Sequence, residues 1–367
     1  MPSAPAAVLR AGDPIDLRVD LLYRQAIVLD YGARTAEGLA LLKEARQLLE
    51  QAGATSPVSP LARRLADVLY ETSNSYLRSQ DLEDSIAAAR QSIERNRVLS
   101  GGDSVDEAYG WMTMGVALQR AGRHDESLAA ISEAVRLRES RLGESVALAL
   151  TLVAQAGNLD EAGRWEESVK VYDRALPMSR ATMTPGDVNL SHGLINRGVA
   201  LGHLRRFDES LRDFDEAIAL LEKTGGNPVN LAIAVYNRGD LAARRGHCDD
   251  AIRDHDRSIA LLEKLGVPTF YVLLYPLSGK GMCLVRTGRP AEAIPLIERA
   301  LRCKASGADD FEVARAKSYL GRALVETRRD VAGGLAMVRA GRPAIAAGPD
   351  GADELVVLDR WLRAHAR

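Results

Sequence analysis

The chain has 367 residues, of which 48 are basic and 50 acidic, so its formal net charge is −2. This even balance argues against a general nucleic-acid binder, because such proteins carry a basic surface for the phosphate backbone. Hydrophobic residues make up 46% and charged residues 27% of the chain, as in soluble proteins, and no run of about 18 apolar residues predicts a membrane span.

Three cysteines, Cys248, Cys283 and Cys303, are isolated in the sequence and lack CxxC spacing. They suit a reducing compartment better than a disulfide framework. The N-terminal sequence MPSAPAAVLRAGDP has no basic segment followed by a long apolar run, so it does not predict a secretory signal. Together these features predict a cytoplasmic protein.

In chain order, residues 1–15 are rich in Ala, Pro and Gly and predict a flexible tail. The amphipathic pattern that follows predicts helices in pairs, the first at Asp16–Tyr31 and Thr35–Glu50 with Thr35 as an N-cap. The next three pairs are predicted at Leu61–Ser79 with Leu82–Leu99, at Ser104–Ala121 with His124–Arg141, and at Glu144–Ala162 with Trp165–Met178. Pro177 is expected to end the last of these helices.

The fifth and sixth pairs are the most regular, and Gly225-Gly226-Asn227-Pro228 separates them. In the seventh pair Pro276 and Pro295 fall inside predicted helices. Each removes a backbone donor, so we expect a bend at both. In the eighth pair the adjacent Gly333 and Gly334 predict a soft second helix.

Residues 341–351 are rich in Gly and Pro and predict a loop. A final helix over Ala352–Ala366 has Leu355, Leu358 and Leu362 on one face, which is typical of a cap on the last unit of a repeat array. We therefore expect three segments: a flexible tail over residues 1–15, a repeat array over 16–341 and a C-terminal capping helix over 342–367.

From the second pair onward the pairs share a repeat of roughly 40 to 42 residues, marked by small residues where the two helices of a pair must approach closely. A degenerate first copy is separated from the second by a longer loop. The first small position holds Ala26, Ser73, Gly115, Ala156, Gly198, Gly239, Gly281 and Gly321. A second small residue follows each of these, as Ser210 follows Gly198. A single helix pair cannot bury its apolar faces alone, so about eight copies predict a stack.

This spacing resembles the tetratricopeptide repeat (TPR) family. Trp111 lies at a position before Gly115 where the family favours Trp, and Tyr172 and Phe214 occupy its aromatic position on the second helix. The repeat is longer than the usual 34 residues, as in kinesin-light-chain-like bacterial TPR proteins. The resemblance covers about Val19 to Ala340 and implies an all-α fold, a right-handed α-solenoid of about eight helix-turn-helix units plus a capping helix.

The sequence shows no motif for catalysis, a metal or a cofactor. Its six histidines have neither HxxxH nor HExxH spacing. Gly279-Lys280-Gly281 lacks the upstream glycine and the following Ser or Thr of a phosphate-binding loop. The acidic pair Asp249-Asp250 lies at a helix start, where it complements the helix dipole. We therefore expect no enzyme activity, no metal site and no cofactor.

In TPR proteins the first helix of each pair lines a concave groove, so the resemblance implies a ligand groove along these helices. Its candidate residues are Asp67, Tyr70, Asn74, Tyr109, Met112, His192, Tyr236, Asp240, Arg244, Tyr275, Met282, Arg315 and Arg322. Tyrosine offers contact area with few rotatable bonds, and methionine adapts its shape. The alternative is that most of these side chains pack against the neighbouring helix. A lysine clamp for a C-terminal carboxylate is not expected, because the corresponding positions hold no lysine.

The expected function is a non-catalytic module that binds a peptide or protein segment in the groove. Two alternatives stay open: a ligand- or peptide-sensing TPR regulator that acts through a separate effector protein, and an enzyme or enzyme subunit on a TPR-like scaffold. The sequence names neither the partner nor the oligomeric state.

Two further expectations concern charge. Arg197 with Asp213, and Arg238 with Asp254, occur at matching positions of the fifth and sixth repeats and predict an ion pair within each helix pair. Arginines on the first helices of the sixth to eighth repeats predict a ligand that is acidic there, with an apolar or aromatic anchor near the two tyrosines of that region. These arginines are Arg244, Arg286, Arg315 and Arg322.

Overall fold

The computed structural model describes residues 14–183, 188–266, 271–303, 310–348 and 351–365. Over these ranges it contains seventeen α-helices and no strand, and the first sixteen pack as eight consecutive pairs. The chain divides into two compact units, Met1–Thr182 and Met183–Arg367, called here the N-terminal and C-terminal units. The flexible tail predicted for residues 1–15 falls almost entirely outside the described residues.

The predicted helix pairs are present, and most of their ends agree with the sequence to within one or two residues. The N-terminal unit contains α1 (Pro14–Tyr31), α2 (Thr35–Gln51), α3 (Ala62–Ser79), α4 (Leu82–Ser100), α5 (Val105–Arg120), α6 (His124–Leu142), α7 (Val146–Glu161) and α8 (Trp165–Thr182). The C-terminal unit contains α9 (Val188–His203), α10 (Phe207–Thr224), α11 (Pro228–Arg244), α12 (Cys248–Glu263), α13 (Leu274–Arg286), α14 (Pro290–Arg302), α15 (Asp310–Glu326), α16 (Val331–Ala347) and α17 (Gly351–His365).

The small residues hold the two helices of each pair together. A Cβ added at Gly198 would come within 2.7 Å of the Phe214 ring, so α9 and α10 approach this closely only because residue 198 has no side chain. Ser210 then donates its hydroxyl proton to the carbonyl oxygen of Gly198 at 2.6 Å, and Ser127 makes the same bond to Gly115 at 2.6 Å. The repeat in the sequence is therefore a repeat of one local packing arrangement.

The turn inside each pair is also a repeated structure. One residue of the turn has a left-handed backbone, at the same distance from the small residue in all eight pairs. Glycine occupies this position at Gly122, Gly163, Gly246 and Gly288, and another residue does so at Ala33, Gln80, Arg205 and Arg328. A left-handed backbone costs a non-glycine residue about 1 kcal/mol. Four of the eight turns therefore hold a mildly strained residue.

One helix cap was not predicted from the sequence, and another corrects a prediction. Asn227 caps α11 by accepting a hydrogen bond from the backbone N–H of Val229, and Pro228 takes the first helical position, where its missing N–H is not needed. The prediction that Thr35 caps α2 was wrong. Thr35 is the first residue of that helix, and the N-cap is Arg34, which makes no side-chain capping bond.

Pro177 does not end α8, although the sequence predicted that it would. α8 continues through Pro177 to Thr182, because Tyr172, Leu176 and Ser179 are buried on both sides of the proline and hold the helix in place. α14 likewise continues through Pro295. Tertiary packing therefore offsets the cost of about 3 kcal/mol of an interior proline.

Pro276 lies in the first turn of α13, which begins at Leu274. Backbone N–H groups of a first turn have no acceptor within their own helix, so proline is tolerated there. Residues 271–273 form a 3₁₀ turn before α13.

The loop predicted over residues 341–351 was wrong for most of its length. α16 continues through Gly341 and Pro343 to Ala347, and it buries Val338 and Ile345. A Cβ added at Gly341 would lie 2.5 Å from the Ser318 hydroxyl oxygen, so this glycine allows α16 to approach α15 rather than ending a helix. Gly334 serves the same purpose against Gly321 of α15.

The last helix, α17, packs on α16 through Leu358, Trp361 and Leu362. Leu358 and Leu362 belong to the apolar face predicted from the sequence, whereas the burial of Trp361 and Glu354 was not expected. None of the helices in the described ranges is both long enough and apolar enough to cross a membrane.

Candidate functional site

In the N-terminal unit, two candidate groove residues form an aromatic pair. The rings of Tyr70 on α3 and Tyr109 on α5 meet edge to face, with centroids 5.9 Å apart. The guanidinium of Arg138, from α6, lies over the Tyr109 ring at 5.0 Å. Tyr109 nevertheless keeps 45% of its surface exposed. The cluster therefore exposes the aromatic surface of Tyr109, whereas Arg138 beside it is only 6% exposed.

Other predicted residues of the N-terminal unit surround this pair. Burial raises the pKa of Asp67, and burial together with the charges of Glu71 and Asp67 raises the pKa of Tyr23 to about 12. Asn74 accepts a hydrogen bond from the Thr113 hydroxyl at 2.9 Å, linking α3 to α5. Met112 packs against a buried cluster, as the packing alternative expected.

In the C-terminal unit the aromatic pair lines a cavity. Tyr236 on α11 and Tyr275 on α13 stack with centroids 5.7 Å apart and an interplanar angle of 16°. They form part of the wall of a cavity of about 190 Å³ between α9, α11, α13 and α15. Burial is the main cause that raises the pKa of Tyr236, so its hydroxyl stays protonated and can donate.

Arg315 reaches this cavity from α15, but it is already paired. Its guanidinium lies 2.8 Å from Glu312 and 3.5 Å from Asp240, and it stands over the Phe311 ring at 5.6 Å. Burial by itself lowers the pKa of Arg315, but the two carboxylates raise it on balance, so the arginine stays charged. The cavity wall therefore has cations and anions close to each other.

Arg244 lines the cavity as well, and its guanidinium donates to the carbonyl oxygen of Gly202 at 3.1 Å. The same position of other repeats makes an equivalent bond to the preceding repeat: Arg120 donates to Leu77 at 3.1 Å, and Arg286 donates to Ala243 at 3.5 Å. The sequence predicted Arg244 as a groove residue but not this repeated bond to the backbone, although the recurrence of arginine five positions after the small residue could have revealed it.

Three predicted groove residues do not line the cavity. Met282 is 3% exposed and lies in the core beside Ile297, so it is not available to a ligand. Arg322 is buried between the rings of Tyr319 and Trp361. His192 lies near the start of α9, where its Nε2 is 2.7 Å from the Asn230 side-chain nitrogen. The first two were misplaced because helix spacing does not show what a later helix covers.

His255 forms part of the cavity floor and was not predicted. It occupies the aromatic position that Phe214 fills in the preceding repeat, and its ring lies against Gly239 and Gly279. Burial lowers the pKa of His255 to about 4, so the imidazole is neutral near pH 7. Neither ring nitrogen has a hydrogen-bond partner among the described residues.

Both predicted ion pairs are confirmed. The two guanidinium nitrogens of Arg197 donate to Asp213, each at 2.7 Å, and those of Arg238 donate to Asp254 at 2.8 and 2.7 Å. Each pair joins the first helix of its repeat to the second in fork geometry, which fixes both side chains. They support the first helices that line the cavity.

Comparison with known proteins agrees with this geometry. Two family models described as tetratricopeptide repeat match the chain, one over residues 106–181 and 190–264 and the other over 70–141. Together they cover about half of the sequence. The chain belongs to the tetratricopeptide repeat family.

Solved structures of other proteins share the fold. RapI in its apo form matches with a TM-score of 0.61 and 14% identity, over 77% of this chain and 99% of RapI. BtubC (BKLC) from P. vanneervenii matches with a TM-score of 0.54 and 15% identity, over 69% of this chain and 92% of BtubC. At these identities the likeness shows the fold alone.

A third structure is a signal transduction ATPase with numerous domains, PH0952 from Pyrococcus horikoshii, which has a tetratricopeptide repeat sensor. It matches with a TM-score of 0.64 and 9% identity, over 93% of this chain and 49% of that protein. No curated protein sequence matches this chain. As a member of this family, the TPR protein is a protein-interaction scaffold. Scaffolds of this family are typically non-catalytic.

In the part of this TPR protein that the structure describes, no three His, Cys, Asp or Glu side chains come together in a metal-binding cluster. Two cysteines that are distant in sequence, Cys248 and Cys283, do lie in one core cluster. A hydrogen bond from Cys283, together with the charge of Arg286, lowers the pKa of Cys248 to about 7. The two thiols are thus neighbours rather than isolated groups.

Proposed function

We propose that this TPR protein is a non-catalytic interaction module that binds a peptide segment of a partner protein in the cavity of its C-terminal unit. The observation that carries the proposal is the stacked pair of Tyr236 and Tyr275 in the wall of that cavity. Rigid aromatic side chains in a partly enclosed pocket are the usual anchors of protein recognition, because they give large contact area at little entropic cost.

The size of the cavity favours a single side chain over a whole small molecule. Its volume is about 190 Å³, whereas small-molecule sites usually measure about 300–1,000 Å³. A small molecule sensed by a regulator, the alternative from the sequence, would need more space than this cavity offers. An aromatic or apolar side chain of a bound peptide suits both the volume and the tyrosine wall.

The charges around the cavity argue against the broadly acidic ligand expected from the sequence. Arg315 already faces Glu312 and Asp240, and Arg322 is buried away from the cavity. A carboxylate of the ligand would therefore compete with two carboxylates of the protein at Arg315. We propose that the segment in the cavity is apolar or aromatic with polar flanks, rather than broadly acidic.

Selection of peptides from a random display library against the full chain, followed by affinity measurement, tests this proposal. Tyr236→Ala and Tyr275→Ala should each weaken the selected peptides at least about tenfold, with little dependence on salt, because the lost contact is apolar. Tyr31→Ala is the matched control, since Tyr31 lies in the N-terminal unit and is 82% exposed. Selected peptides that bind both cavity variants as tightly as the wild type would contradict the proposal.

A further inference from the structure

The last helix is held by polar groups of the first helices as well as by apolar packing. The Glu354 carboxylate of α17 accepts a hydrogen bond from the Tyr319 hydroxyl at 2.6 Å and another from Arg286 at 3.1 Å. Burial and the nearby Glu354 raise the pKa of Tyr319, so this phenol remains a donor. The carboxylate is 9% exposed, so both bonds are shielded from water.

Seven residues later, Trp361 lies on the same face of α17, two helical turns from Glu354. Its indole N–H donates to Glu326 at 2.8 Å, and its ring faces the Arg322 guanidinium at 5.5 Å. On its other side, Arg322 faces the Tyr319 ring at 5.1 Å. α17 thus places a carboxylate and an indole at two polar binding positions formed by side chains of α13 and α15.

These two binding positions together are called the latch surface. It consists of Arg286 at the end of α13 and of Tyr319, Arg322 and Glu326 of α15. In the eighth repeat Glu326 occupies the position that holds Arg244 and Arg286 in the sixth and seventh repeats. Those arginines bond to the backbone of the preceding repeat, whereas Glu326 binds the indole of α17. The surface is thus specialised for its occupant.

A cap that served stability alone would gain more from apolar contacts, because buried charge pairs lose much of their attraction to desolvation. Against the latch surface, α17 instead buries its Glu354 in hydrogen bonds from Tyr319 and Arg286. Arg322 of that surface is buried between the rings of Tyr319 and Trp361. Such an arrangement discriminates between ligands, since a helix without a carboxylate or an indole at these positions would leave buried polar groups unsatisfied.

We propose that the latch surface is a second docking site, for an amphipathic helix of a partner protein that carries a carboxylate and, seven residues later, an indole. In the resting chain α17 occupies this site as an internal copy of that ligand. The inference goes beyond the proposed function, because the latch surface and the tyrosine cavity bind through different residues. Docking of the partner helix then requires the displacement of α17.

A synthetic peptide of residues 351–365, labelled with fluorescein, is the probe, and fluorescence anisotropy reports its binding to the full chain. The wild-type chain should bind it weakly, because α17 already fills the site. A chain with Glu354→Gln and Trp361→Ala has a weakened internal ligand and should bind the unaltered peptide at least about tenfold more tightly. A peptide with the same two replacements is the matched control and should not bind either chain.

Two further variants show where on the protein the labelled peptide binds. Arg286→Ala, added to the weakened chain, should remove most of the gain, whereas Tyr236→Ala should leave it unchanged. Loss of binding in the Tyr236 variant would assign the probe to the tyrosine cavity and would overturn the docking site while leaving the proposed function intact. Equal binding of the peptide by wild-type and weakened chains would also overturn it.

Hydrogen exchange on the wild-type chain keeps the inference testable if the weakened chain does not fold. Excess peptide should speed exchange of the α17 amides, as the peptide displaces that helix, while α16 stays protected. The control peptide should have no effect. Protection of α17 that equals that of α16 and does not change with the peptide would show a fixed cap and would overturn the inference.

Discussion

Two tyrosine pairs occupy the same register in the two units, and they form different surfaces. In each pair, Tyr70 with Tyr109 and Tyr236 with Tyr275, the first tyrosine lies three residues before the small residue of its repeat and the second lies six before that of the next repeat. In the N-terminal unit the rings meet edge to face under Arg138, and Tyr109 stays largely exposed. In the C-terminal unit the rings stack and line a cavity.

The difference comes from the side chains that neighbouring helices bring to each tyrosine pair. α15 brings Phe311, Glu312 and Arg315 to the second pair and completes the cavity wall. The first pair instead receives the guanidinium of Arg138, which also donates to the Thr151 hydroxyl of α7. The same two residues of the repeat thus give an open patch or an enclosed site, depending on their neighbours.

The largest expected effect concerns the fork-shaped ion pairs found in the C-terminal unit. Asp213→Ala removes the carboxylate that Arg197 faces in a mostly buried setting and should lower the free energy of unfolding by about 3 kcal/mol. Arg197→Met combined with Asp213→Ala reproduces the third repeat, which has Met114 and Ala130 there, and should cost less. Urea denaturation measures both, and a double variant less stable than the single would contradict this.

The next effect distinguishes His255 from the aromatic residues that fill its position elsewhere. The pKa of this imidazole falls from about 6.5 in the unfolded chain to about 4 in the fold, so the unfolded state binds more protons between these values. Stability should therefore fall as the pH drops below about 6.5, by roughly 2 kcal/mol at pH 5.

His255→Phe copies Phe214 of the fifth repeat and should remove this part of the pH dependence, which is seen by comparing urea midpoints at pH 7 and pH 5. Acidic residues that titrate in the same range affect both proteins alike and cancel in the difference. Identical pH dependence in wild type and variant would mean that the imidazole does not titrate in this way.

A smaller effect is expected at the turns, which do not differ between the units. Gln80→Gly should stabilise the protein by about 0.5–1 kcal/mol, because glycine accepts the left-handed backbone, and Gly163→Ala should destabilise it by about 1 kcal/mol. Both residues lie in the N-terminal unit at equivalent turn positions. Thermal unfolding checks the pair, and shifts of the same sign would argue against a shared turn conformation.

The smallest effect is expected for an Arg–Glu pair that begins the second helix in several repeats of both units. Arg123 lies 2.6 Å from Glu126, and Arg206 lies 2.7 Å from Glu209, but all four side chains are exposed. Exposed pairs gain little, since water and salt screen them. Arg123→Gln should leave the urea midpoint unchanged, and a clear shift would give these surface pairs a structural role.

Features within one helix pair were predictable from the sequence. One example is the hydrogen bond from Ser210 to Gly198, and another is the ion pair of Arg197 with Asp213. In each case both residues belong to the same repeat, and one short turn sets their spacing. Recurrence of this spacing through the chain removes the ambiguity of a single match. The repeat architecture, the helix ends near glycine turns and the ion pairs therefore followed from the sequence.

Features that depend on distant residues did not follow from it. Pro177 and Gly341 lie inside helices because buried neighbours compensate for them, and periodicity alone does not show that compensation. The groove residues predicted from helix spacing that lie at the cavity are Tyr236, Asp240, Arg244, Tyr275 and Arg315. Met282 is in the core and Arg322 is beneath Trp361.

The sequence by itself determined the repeat, because local turns and small residues encode it again in every copy. Only the tertiary structure decided where the repeat encloses a cavity, since a cavity needs side chains from helices far apart in the chain. α17 shows this most clearly. Its sequence indicates an amphipathic helix, but its partners Arg286 and Tyr319 lie 68 and 35 residues away from Glu354, and folding alone brings them together.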